Sequence, residues 1–185
     1  VRGGAIEMGA IKKWANASYL KKEFKNPIVS IETYESEKHM QVSKASSVDV
    51  SFSDYLNSTN DKQYLSDVSL NAMGASEQIY KDICNPALSG PFKETPVENF
   101  LFIGNNTKTG THLHVSPYDF VLHQIVGKKI VHLLDFEELT LNSMFSRRYN
   151  FSKENFYDLD KSRYKTQAIE LEPGDVLYLP PWIWH

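Results

Sequence analysis

A chain of 185 residues, 41% hydrophobic and 12% aromatic, is long enough to bury one sizeable core and short for two. Twenty basic against twenty-three acidic residues leave a net charge of −3, which excludes the basic footprint of a dedicated nucleic-acid binder, so strong DNA binding is not expected. The single Cys84 excludes an internal disulfide, and no apolar run has the length of a membrane span or a signal-peptide core. The expectation is a soluble, intracellular protein with no membrane partner. A start at Val1 and an abrupt stop at His185, inside an aromatic run, predict a piece of a longer polypeptide.

In chain order, Ile6, Ile11, Trp14, Leu20 and Phe24, with lysines between them, predict two short amphipathic helices broken near Asn16 to Ser18. The β-branched run 27–34 predicts a strand, followed by a polar loop through Ser43 and Ser47. Ser51 is placed to cap a helix starting at Phe52, and 63–70 predicts another strand. Ile79 and Ile83 predict a helix over 76–84, ended by Pro86.

From Asn99 onward, short apolar runs are split by Gly and Pro, the pattern of an all-β unit. Strands are expected at 100–104, at 119–126 and 129–134 joined by a tight turn at Gly127, and at 167–171 and 176–179 about the turn Pro173-Gly174-Asp175. The polar, aromatic stretch 136–164 reads as an insertion with a helical turn or two. Together these predict one domain, with an N-terminal α+β portion at 1–98 and a β core at 99–185.

Two motifs carry the chemistry. In Thr111-His112-Leu113-His114-Val115-Ser116-Pro117-Tyr118-Asp119, strand alternation would send His112, His114 and Ser116 to one face, a face suited to a metal ion. The second motif, Gly174-Asp175-Val176-Leu177-Tyr178-Leu179-Pro180 and on through Trp182 to Trp184-His185, ends on another imidazole. The remaining histidines, His39, His123 and His132, read as ordinary core or surface residues. Of Trp182 and Trp184, one is expected in the core.

These motifs, with Phe102-Ile103-Gly104 and Gln124-x-x-Gly127-x-Lys129, resemble in their order the JmjC, or cupin-like, iron(II) and 2-oxoglutarate dependent oxygenases. The nearest likeness is to the branch that includes the asparaginyl hydroxylase of hypoxia-inducible factor. The resemblance implies a mainly β double-stranded β-helix, or jelly roll, with N-terminal helices and a helical insertion, whose mouth holds Fe(II). It makes His114 the first metal ligand and His185 the last. Thr111 and Lys129 match the residues that hold the distal carboxylate of 2-oxoglutarate, and Tyr64 matches a third contact. The activity implied is hydroxylation of a protein side chain, with a small molecule or tRNA as other substrates.

Ser116 departs from that pattern, standing where the family has its carboxylate ligand, and Phe120 stands where relatives place an Asn. Three fillers are open for the third metal position: His112, Asp119 near the Pro117 turn, or water or a small anion. Two other functions remain in view: a catalytically silent binding module, and a three-histidine cupin dioxygenase that does not use 2-oxoglutarate.

Overall fold

The computed structural model describes residues 1–34, 46–84, 98–104, 109–134 and 150–185. Helices α1 (Gly9–Lys13) and α2 (Ala17–Glu23) are separated where Asn16 turns the chain and caps α2, its Oδ1 accepting from the amides of Ser18 and Tyr19 at 2.9 and 3.3 Å. Ser51 caps α3 (Phe52–Asn57) through a bond from the Asp54 amide, and α4 is Glu77–Asp82. The helices are tied together by Asp82. Its carboxylate, 1% exposed, accepts from Lys13, Trp14, Tyr19 and Gln78.

Strands β1 (Ile28–Thr33), β2 (Ser46–Ser51), β3 (Gln63–Ser69) and β4 (Phe100–Gly104) form an antiparallel sheet in the order β2-β1-β3-β4. Alternation sorts β1: Val29 and Ile31 are buried while Ile28 and Ser30 face outward. The buried face packs against Met8, Trp14, Leu20 and Phe24 of the helical segment, forming the largest core cluster. Expected features at His39, the loop at Ser43 to Ala45, Pro86 and 136–149 lie outside the described residues, while Ser46 and Ser47, expected in that loop, instead begin β2, where pairing with β1 overrides their weak strand preference.

The C-terminal half corrects one expectation. Strands β5 (Phe120–His123) and β6 (Lys129–Leu134) do not form a hairpin with each other. Instead β5 pairs with β8 (Val176–Leu179), and β6 pairs with β7 (Thr166–Leu171). The turn is where the sequence places it, with Gly127 at φ +68°, but it carries the chain between ladders. Gln124 leaves the first ladder there, donating through Nε2 to the carbonyls of Val126 and Gly127. The two turns also grip each other, since the Gly174 amide donates to Gln124 O and the Gln124 amide to Asp175 O.

The architecture is mainly β, a jelly-roll arrangement with short N-terminal helices. Within the described part of the expected insertion are two 3-10 turns, Phe156–Asp158 and Lys161–Arg163. Phe156 and Leu159 join Leu113, Val115, Leu134 and Trp184 in a second buried cluster beneath the motif residues. No described helix is long and apolar enough to cross a membrane.

Candidate functional site

His114 and His185 are brought side by side by the backbone. Each donates its amide to the other's carbonyl, at 3.0 and 2.9 Å, as a directly opposed antiparallel pair does. Such a pair projects both side chains to one face, and the ring centroids stand 4.2 Å apart. Their neighbours Leu113, Val115 and Trp184 face the other way, into the second cluster, which anchors the pair from behind. Phe151, bridged to His114, stacks on that ring at 5.5 Å.

Both imidazoles are oriented in the same manner. His114 Nδ1 lies 2.7 Å from the carbonyl of His112, and His185 Nδ1 lies 2.9 Å from the carbonyl of Ile183. A ring nitrogen facing a carbonyl oxygen must carry the proton, so in the neutral rings Nε2 keeps the lone pair. Burial, with the neighbouring His185, pushes His114 down to about 3, so it stays neutral at physiological pH. Burial and the positive charge of Lys129 hold His185 below its ordinary value as well. Two neutral, pre-oriented imidazoles are a donor set for a first-row metal.

Lys129, at the start of β6, supplies the second half of the site. Its Nζ donates to Tyr64 Oη at 3.0 Å and lies over the rings of Phe102 and Tyr64, 5.1 and 5.7 Å from their centroids. No carboxylate among the described residues pairs with it. Because Tyr64 Oη accepts from Lys129, its own proton is free to go to Thr111 Oγ1, 3.3 Å away. The Thr111 hydroxyl proton and two ammonium protons then remain for a ligand. Phe120, edge-on to Phe102 at 6.2 Å, is an apolar neighbour of this group. This arrangement could hold a carboxylate.

The structure separates the other candidates. The stretch from Thr111 to Asp119 is not a continuous strand. His112, 4% exposed, turns its Nε2 toward Tyr34 and Glu32. Ser116 Oγ accepts from the Tyr118 amide, and Asp119 accepts from Tyr178 at the exposed surface. Among the described residues no three of His, Cys, Asp or Glu converge as a metal cage.

A family profile for the cupin-like domain matches residues 1–185. The chain belongs to the cupin-like domain family. No curated protein matches it. Within this cupin-like fold two imidazoles could hold a metal, and among the described residues no third His, Cys, Asp or Glu joins them. The residues around Lys129 could also hold a carboxylate, since a cation without an acidic partner among the described residues and a directed hydroxyl stand together.

Sequence reading misses Phe102 and Phe151 as walls of the site, and Tyr34 and Glu32 behind it. Phe102 lies inside a quoted motif, Phe102-Ile103-Gly104, so a signal was present there. Gly104 has a reason of its own: a Cβ would stand 3.2 Å from the Tyr64 ring. Nothing in the sequence around Tyr34 or Phe151 marks them.

Proposed function

We propose that this cupin-like protein is an iron(II) and 2-oxoglutarate dependent oxygenase of the JmjC type, hydroxylating a protein side chain. Within the family, the order of its motifs supports the branch that resembles the asparaginyl hydroxylase of hypoxia-inducible factor. The observation that carries the reading is Lys129, a cation with no acidic partner among the described residues, hydrogen-bonded to Tyr64, whose hydroxyl lies 3.3 Å from that of Thr111. His114 and His185 would hold the iron, and Lys129, Thr111 and Tyr64 would hold the far carboxylate of 2-oxoglutarate. Bound together, these two groups supply dioxygen activation coupled to decarboxylation of the oxo-acid. The apolar rings of Phe102, Phe120 and Phe151 keep water from the walls of that space. The exposed rings of Tyr118, Tyr178 and Trp182, near the Ser116 turn, support a macromolecular substrate.

The test is anaerobic calorimetry with iron(II), then with 2-oxoglutarate, followed by admission of dioxygen and measurement of succinate. Binding of both and formation of succinate are expected, with iron binding lost in His114→Ala and His185→Ala. Failure of the native protein to bind 2-oxoglutarate in the presence of iron(II) would sink the proposal. A second reading is favoured by Ser116, whose hydroxyl is engaged by the Tyr118 amide and carries no negative charge. On that reading the protein is a silent binding module, and the same experiment gives binding without succinate.

A further inference from the structure

The imidazole pair and the carboxylate cradle share one short stretch of backbone, from Gly110 to His112. The carbonyl of His112 accepts the Nδ1 proton of His114 at 2.7 Å, and Thr111 carries the hydroxyl that faces Tyr64. A shift of this backbone therefore disturbs both halves together. Its fixed point comes from the other half of the molecule.

Tyr34 follows β1 and is 1% exposed, its amide held by the carbonyl of Lys62. Its hydroxyl is hydrogen-bonded to the Glu32 carboxylate, lies 3.2 Å from the carbonyl oxygen of Gly110, and lies 3.4 Å from His112 Nε2. Glu32 Oε1 stands 3.6 Å from the same imidazole nitrogen. The His112 ring is packed edge-on against Tyr34 and Phe151, with centroids 5.7 and 6.0 Å away. Tyr34 also shares a buried cluster with Tyr64 and Phe102, the residues around Lys129. One hydroxyl thus touches the backbone at 110 and the side chain at 112, on either side of Thr111.

We propose that Tyr34, oriented by Glu32, is a positioning residue that fixes the 110–112 backbone and through it sets the tautomer of His114 and the place of Thr111. The proposal rests on reading His114 as a metal ligand, but its primary test does not. His112 is accordingly a structural partner of Tyr34, with its main-chain carbonyl, not its ring, directed to the site.

Metal-free protein labelled with 15N-histidine is compared by long-range 1H–15N correlation in three forms: native, Tyr34→Phe and Glu32→Gln. In the native protein His114 and His185 are both expected as the Nδ1–H tautomer. Tyr34→Phe keeps the ring and removes only the hydroxyl; it moves His114 toward a mixture of tautomers and leaves His185, anchored at Ile183, unchanged. Cobalt(II), used as the metal probe, then binds Tyr34→Phe about tenfold more weakly, the low end for loss of a group that orients a ligand. Glu32→Gln, which retains an acceptor for the Tyr34 hydroxyl, shifts His114 in the same direction and by less. An unchanged His114 in Tyr34→Phe overturns the proposal, and so does an equal change at both histidines, which marks general loosening. If Tyr34→Phe does not fold, an unchanged His114 in Glu32→Gln overturns it. Native protein that fails to bind cobalt(II) overturns the metal reading of His114, while the tautomer comparison still decides the role of Tyr34.

Discussion

Replacing Lys129 by methionine separates the cradle from ordinary packing. The stem of Lys129 lies among Phe102 and Tyr64, so a methionine side chain occupies the same apolar space and removes only the ammonium. A hydrogen bond from a charged donor contributes roughly 1.5–3 kcal/mol. At about 1.4 kcal/mol for each factor of ten, 2-oxoglutarate should bind roughly 10- to 150-fold more weakly in the variant. Stability should move the other way or not at all, because an unpartnered cation among aromatic rings gains little from being there in the ligand-free state. The adjacent lysine is the control. Lys128 is exposed and paired with Glu170 and Glu172 at 2.9 and 2.8 Å, so Lys128→Met should leave 2-oxoglutarate binding within about twofold. Calorimetry of the iron(II)-loaded proteins, with thermal melts of the ligand-free ones, measures both quantities. Equal loss of binding in the two variants, or no loss in Lys129→Met, would refute the assignment of the cradle.

Gly104→Ala places a methyl group 3.2 Å from the Tyr64 ring and should weaken 2-oxoglutarate binding severalfold in the same titration, through displacement of Tyr64. Asp82→Ala removes the acceptor shared by Lys13, Trp14, Tyr19 and Gln78, and should cost roughly 3 kcal/mol in urea unfolding. Burial opposes ionisation of Asp82, but these four hydrogen bonds outweigh it and hold its carboxyl below the ordinary 3.8. A depressed folded value means that the stabilisation is complete above the ordinary 3.8 and is lost as pH falls from there through the folded value, so Asp82→Ala should flatten the acid limb of the stability curve. Asp175, held down to about 2 by the amides of Glu172 and Gly3 and by Arg2, should contribute to the same limb. Trp184→Ala opens a cavity among Leu113, Val115 and Leu134, and should cost roughly 3–5 kcal/mol by urea denaturation.

By itself the sequence determines the local features of this protein. Asn16 and Ser51 satisfy helix amides within three residues, so capping is readable from neighbours alone. Strands at 28–33, 63–69 and 100–104 follow from β-branched and aromatic runs, and Gly127 and Gly174 mark turns because each takes a positive φ. Motif order makes His114, His185, Lys129, Thr111 and Tyr64 nameable as a set. Only the tertiary structure decides which strands pair, since a turn fixes where the chain reverses but not which distant amides its flanks will meet. That is why β5 lies against β8 and β6 against β7 instead of in a hairpin. It also decides direction: His112 and His114 are two residues apart, yet one turns to Tyr34 and Glu32 and the other to His185. Alternation orders side chains only along a continuous strand, and the segment from Thr111 to Asp119 forms no strand, only a β-bridge from His114 to Phe151. The His112 ring is set by Tyr34 and Glu32, about eighty residues away in the chain, a long-range choice that no local pattern encodes.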